Sequence, residues 1–223
     1  MKSIRVLNLY SCLGGNRYKW DEVADIEVTA VEWDEDLAKL YKERFPNDTV
    51  VVGDAHQYLL DHYKEFDFIW TSPPCPTHSR ARFWCSVSDK TVNKPAFPDL
   101  KLYEEILFLQ HWFKGKYVVE NVIPYYSPLI PGAKRGRHLY WSNFRLPNVV
   151  SNRKPIGWHK KMHDTEIEMW NKFHDYNFHK YQGKQRRDKI ARNLVDYEAG
   201  KTIFEFAANA ILKKPAQQIG LFA

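Results

Sequence analysis

The feature that most constrains this chain is an alternation of short β-rich runs with helical periodicity over its first 145 residues. Ile4-Arg5-Val6-Leu7-Asn8-Leu9 reads as a buried strand ending in the small-residue turn Ser11-Cys12-Leu13-Gly14-Gly15. Residues 27–31 form a second strand; Asp34 then serves as an N-cap, with Leu37, Leu40, Tyr41 and Phe45 at helical spacing until Pro46 stops the helix. Residues 49–52 before Gly53-Asp54, and 66–70 before Thr71-Ser72-Pro73-Pro74, supply strands three and four. Leu102, Ile106, Leu109 and Phe113 mark a helix ahead of a fifth strand at 117–119, and 137–141 is a further strand. Such alternation builds βαβ units, and so an α/β fold with a mostly parallel sheet and helices on both faces. Ligands of such sheets bind beyond the carboxyl ends of the strands.

After residue 145 the alternation stops, and the charge changes with it. Residues 151–192 carry eleven Lys and Arg against five acids, while the remaining 181 residues balance at 22 against 22, so this segment holds the whole net charge of +6. That is the distribution of a polyanion-binding element or, equally, of a solvated surface insert. Trp158, Trp170, Phe173, Tyr176, Phe178 and Tyr181 are interleaved with the charges, and an amphipathic stretch from Ile203 to Ile211 reads as a C-terminal helix. The expected division is a catalytic and cofactor-binding domain over 1–145, completed by a returning helix within 193–223, with 146–192 as a reduced recognition segment.

At 223 residues, 44% of them hydrophobic, the chain suffices for one substantial core. It has no apolar run of transmembrane length and no secretory leader pattern. Cys12, Cys75 and Cys85 form neither a disulfide framework nor a zinc pattern, so a reducing cytosol and no metal are expected.

Four successive strand ends carry residues suited to one task. Gly14-Gly15 allows close backbone approach but lacks a dinucleotide fingerprint. Glu32 stands where an acid would bond a ribose diol, with Trp33 offering a flat face to a purine; an exposed acid is the plainer alternative. Asp54 suits an exocyclic amine or a simple turn. No phosphate-binding lysine loop is present, so an adenosine-containing ligand without phosphates, S-adenosylmethionine, fits best. In Ser72-Pro73-Pro74-Cys75-Pro76 three prolines fix the backbone around one cysteine, which suits a nucleophile. His78, Arg80 and Arg82 just downstream would favour its thiolate. Glu120-Asn121-Val122 places a carboxyl group after strand five, where it could protonate a ring nitrogen.

This ordered set resembles the DNA cytosine-5 methyltransferase family, particularly its short, phage-type members. Residues 9–15 are similar to the family's first motif, Glu32-Trp33 to its second, Gly53-Asp54 to its third and Pro73-Pro74-Cys75 to its catalytic fourth. Glu120-Asn121-Val122 and Arg135-Gly136-Arg137 resemble its Glu-Asn-Val and Arg-x-Arg motifs, and Gly200-Lys201-Thr202-Ile203 loosely resembles its last. The resemblance implies a Rossmann-like S-adenosylmethionine-dependent methyltransferase fold and an S-adenosylmethionine site built from Tyr10, Ser11, Leu13, Gly14, Gly15, Glu32, Trp33, Asp54, Pro73 and Gly200.

The resemblance further implies that Cys75 adds to C6 of a flipped cytosine, that Glu120 holds its N3/N4 edge, that Asn121 positions both, and that Arg137 and Arg135 hold O2 and a neighbouring group. Double-stranded DNA would be gripped by Ser79, Arg80, Arg82, Lys160, Lys161, Arg186 and Arg187, by a cytoplasmic monomer in a bacterial or phage-infected cell. The sequence departs from the family at Tyr10, Cys12, Pro76, His78 and Arg82, where Phe, Gly, Gln, Phe and Gly are usual, and its recognition segment is short. An RNA (tRNA) cytosine-5 methyltransferase, a non-catalytic nucleic-acid-binding protein of the same fold, and transfer of a modified one-carbon group stay open as alternatives.

Overall fold

The computed structural model describes residues 3–80, 97–154 and 163–212, the side chains of 163–165 excepted. Seven strands form one sheet in the order β3-β2-β1-β4-β5-β7-β6. They are β1 (Ile4–Leu9), β2 (Ile26–Glu32), β3 (Thr49–Val52), β4 (Phe68–Thr71), β5 (Lys116–Val122), β6 (Ala133–Arg135) and β7 (His138–Ser142). The first five run parallel, whereas β7 is antiparallel to β5 and β6 to β7. The α/β architecture read from the sequence is therefore the one found, with β6 as an additional short edge strand.

Both faces are covered, which is why the central strands read as unbroken apolar runs. On one face Leu7, Leu9, Ile69 and Val119 pack under α2 (Ala55–His62) and α3 (Lys101–Trp112). On the other, Val6, Phe68, Trp70 and Val118 meet Trp20 and helix α6 (Tyr197–Leu212), through Ile203, Phe204 and Ala207. Helix α1 (Glu35–Arg44) starts where expected: Asp34 accepts hydrogen bonds from the Asp36 and Leu37 amides at 3.0 and 3.1 Å. Its buried residues are Leu37, Ala38, Leu40 and Tyr41.

The basic segment contains two helices that its mixed composition concealed, α4 (His163–His174) and α5 (Arg187–Asn193). They do not close a core of their own. Ile167, Trp170, Phe178, Tyr181 and Ile190 share one apolar cluster with Leu13, Leu37 and Leu40 of the amino-terminal body. Polar ties reinforce the docking, since the Tyr181 hydroxyl and Gln185 amide donate to Asp34 at 3.1 and 2.7 Å.

His174 sits between α4 and α5 with Nε2 3.0 Å from the Ala191 carbonyl, and burial pulls its pKa down to about 3. The folded state thus holds this ring neutral where an unfolded chain would protonate it below about pH 6.5. Stability tied to His174 is complete above that pH and declines as pH falls toward 3, by about 1.4 kcal/mol per pH unit. Between pH 7 and 5, urea midpoints of the wild type should fall more steeply than those of His174→Gln. Parallel curves would refute the assignment.

Candidate active site

The strand ends open into a cavity of about 780 Å³. Its walls include Tyr10, Ser11, Cys12, Gly15, Glu32 and Trp33 from the β1 and β2 ends, Pro73, Pro74 and Cys75 after β4, and Glu120 and Asn121 from β5. Arg135, Arg137, His138 and Tyr140 close one side, and Gln185, Lys189 and Asn193 from α5 and its flanks close another. A smaller recess of about 290 Å³ shares Tyr10, Trp33, Pro73 and Pro74 with it and adds Asp54 and His78. Most residues singled out in the sequence therefore meet at one place.

Glu120 and Asn121 do not follow β5 but lie inside it, because antiparallel pairing with β7 extends the strand to Val122. This places Asn121 beside the Pro-Pro-Cys loop, where its Nδ2 donates to the Pro73 carbonyl at 3.0 Å and its Oδ1 accepts from the Val122 amide at 2.9 Å. The Cys75 carbonyl accepts from the His78 and Ser79 amides, both at 3.0 Å, so the loop is pinned on both sides of the sulfur. Cys75 is half-buried; burial and, after it, the Glu120 charge push its pKa up to about 11, while Lys189 pulls it back. The resting side chain is therefore a thiol, and chemistry at Sγ depends on what enters the cavity. Glu120 lies 3.5 Å from Nε2 of His138, a ring that sequence reading passed over.

Around the β1 turn, Tyr10 and Cys12 adopt φ of +55° and +49°. Glu32 stabilises this turn, its carboxylate accepting from the Cys12 amide at 2.8 Å and the Asp34 amide at 3.0 Å. Burial nonetheless pushes the Glu32 pKa up. Trp33 is 67% exposed beside it. Asp54 caps α2, its Oδ1 accepting from the His56 and Gln57 amides.

Three expected cofactor residues have other contacts. Leu13 is fully buried in the cluster shared with α4 and α5. Gly14, at φ +66°, lies where a Cβ would meet the Phe45 ring at 2.4 Å. Gly200 packs against the backbone of Asn16 and accepts from Trp20 Nε1 at 3.1 Å. None of the three lines either cavity. The part of that segment which does reach the wall is Asn193 to Asp196 with Ala199.

The expected DNA contacts are scattered. Arg82, Lys160 and Lys161 lie outside the described residues. Ser79 bridges to Pro124, and Arg80 donates to the Pro124 carbonyl at 3.4 Å. Arg186 pairs with Asp188 at 2.8 Å, and Arg187 donates to the Tyr181 carbonyl at 3.0 Å. Arg135 donates to the carbonyls of Pro147 and Lys134. Within the basic segment it is Lys189, not Arg186 or Arg187, whose charge acts on Cys75. Among the described residues no group of three or more His, Cys, Asp or Glu is placed to hold a metal ion, and no helix is long and apolar enough to cross a membrane.

No curated protein matches the chain. Similar solved structures include a DNMT2 variant from Spodoptera frugiperda, 24% identical with a TM-score of 0.37, covering 54% of this chain and 36% of that one. A putative DNA modification methyltransferase encoded within an E. coli prophage is 20% identical, with a TM-score of 0.38 and coverages of 56% and 34%. The Entamoeba histolytica methyltransferase EhMeth is 17% identical, with a TM-score of 0.35 and coverages of 55% and 39%. The matched part thus spans little more than a third of each of these chains. The sheet and its helical layers make a Rossmann-like α/β fold. Over residues 4–93, which include the Pro-Pro-Cys loop, the chain matches the family described as C-5 cytosine-specific DNA methylase.

Proposed function

We propose that the protein transfers a methyl group from S-adenosylmethionine to C5 of a cytosine flipped out of duplex DNA, through an adduct on Cys75. The observation that carries this reading is the meeting of Cys75, Glu120 and Asn121 on one cavity wall, with Asn121 bonded to the Pro73 carbonyl. In the proposed reaction the Cys75 thiol loses its proton to water, the sulfur bonds to C6 and the C5–C6 π pair moves to C5. Glu120 stabilises the developing charge at N3. Loss of the C5 proton later re-forms the double bond and expels the thiolate.

The residues present fit the cofactor. Trp33 offers an exposed ring to a purine, Glu32 a carboxyl group beside the β1 turn, and Ser11 a buried hydroxyl with no hydrogen-bond partner among the described residues. When bound, S-adenosylmethionine supplies an electrophilic methyl. Tyr10, Glu32, Trp33, Asp54 and Pro73 would hold it, while Arg137 and Lys189 face the target.

Flipping the base costs a few kcal/mol, which phosphate contacts from the basic segment would offset. With so short a segment, sequence specificity is short or relaxed. The test is tritiated methyl transfer to duplex DNA and to total tRNA, followed by bisulfite sequencing of the DNA. Labelled 5-methylcytosine in DNA supports the proposal. Preferential labelling of tRNA overturns its DNA part, and binding without transfer overturns the enzymatic one.

A further inference from the structure

One carboxylate lies beneath the cavity and belongs to none of the motifs. Glu105, on α3, is fully buried, and each of its oxygens is occupied by side chains from other elements. Its Oε1 accepts from the Tyr10 hydroxyl at 2.6 Å and lies 3.1 Å from Nδ1 of His56. Its Oε2 accepts from the Thr71 hydroxyl at 2.7 Å. A carboxyl group carried this far from water is tolerated only with such a set of hydrogen-bond partners. Hydrogen bonding to Glu105 also pushes the His56 pKa up.

The three partners are not arbitrary positions. Tyr10 follows β1 in the left-handed backbone region and lines both cavities. Thr71 is the last residue of β4, immediately before Ser72-Pro73-Pro74-Cys75. His56 lies in the first turn of α2, and its amide donates to the cap Asp54, which lines the smaller recess. The Tyr10 ring packs against the apolar cluster under α2 and α3, and its hydroxyl is tethered to Glu105 as well.

We propose that Glu105 is a positioning residue for the cofactor pocket: through the Tyr10 hydroxyl it fixes the ring that walls both cavities. Through Thr71 and His56 it locks the β1, β4 and α2 ends to one another. The inference rests on the adenosyl-binding reading given above. It assigns to Tyr10 a part that its ring alone would not play, since a phenylalanine there would keep the ring and lose the tether.

The test is calorimetric titration of the full chain with S-adenosylhomocysteine in four proteins: wild type, Tyr10→Phe, Glu105→Gln and the double variant. Tyr10→Phe removes one oxygen and leaves Glu105 with Thr71 and His56, so folding is kept. Tyr10→Phe and Glu105→Gln should each weaken binding about three- to tenfold, and the double variant no more than the weaker single, because both cut the same tether. Kd values within twofold of wild type in both singles, or multiplying losses in the double variant, would overturn the role of Glu105 while leaving the cofactor reading intact. Absence of binding by the wild type would overturn the adenosyl reading and the positioning role together.

Discussion

Cys75→Ala is expected to abolish the denaturation-resistant complex that the proposed reaction predicts for the wild type with a 5-fluorocytosine duplex and S-adenosylmethionine, and to lower methyl transfer by at least about 10³-fold. The reason lies in the ring, whose C5 is a poor nucleophile until a bond to C6 sends electron density there. Among the described residues the other thiol on the cavity wall is Cys12, which lies on the β1 turn with burial pushing its pKa far up, and Glu120 is an acid or hydrogen-bond partner. The free site holds Cys75 as a thiol, its pKa near 11, so labelling by iodoacetamide at neutral pH should be slow in the wild type. Retention of a covalent complex by Cys75→Ala would remove the nucleophile assignment altogether.

Gly200→Ala should destabilise the protein by about 1–3 kcal/mol, against the roughly 1 kcal/mol that helix propensity alone would return to an alanine in α6. An added Cβ would stand 2.2 Å from the Asn16 carbonyl oxygen and 2.6 Å from its Cα, and these are backbone atoms that cannot rotate away. Relief requires α6 to lift from the β1 turn, which also stretches the bond from Trp20 Nε1 to the Gly200 carbonyl. Because Asn16 lines the large cavity, cofactor affinity should fall as well. Urea unfolding decides the matter, and a variant equal to or more stable than wild type would show that the helix can move freely.

That glycine illustrates which parts of the molecule were legible beforehand. Strands β1, β2 and β4 were readable because each is buried on both faces, the edge strand β3 because its residues are β-branched and Gly53-Asp54 follows them, and the Asp34 cap because its signal is local. The boundary of β5 was missed since its final residues are strand only by pairing with β7, formed about twenty residues later. Helices α4 and α5 were hidden because the partners of Trp170, Phe178 and Ile190 include Leu13, Leu37 and Leu40, more than a hundred residues away. Much of the cavity wall was legible, since proline, cysteine and asparagine mark the loop after β4 and the end of β5 by type. Gly200, expected at the cofactor from a loose likeness, packs against the Asn16 backbone, a contact that sequence does not reveal. Glu105 was overlooked although a sign was present: with Leu102, Ile106 and Leu109 it shares one helical stripe, and an acid on an apolar stripe needs a buried partner.

The placement of β1 in the interior of the sheet, in an apolar layer shared with α6, has a consequence for synthesis. The ribosome delivers this inner strand almost two hundred residues before its cover. At about 5–20 residues per second that interval is roughly 10–40 s. Throughout it, Val6, Trp20, Phe68 and Trp70 lack Ile203, Phe204 and Ala207. The nascent chain therefore carries an aromatic surface into the cell well before it can close over it, and its yield should respond to chaperones that hold unfinished sheets.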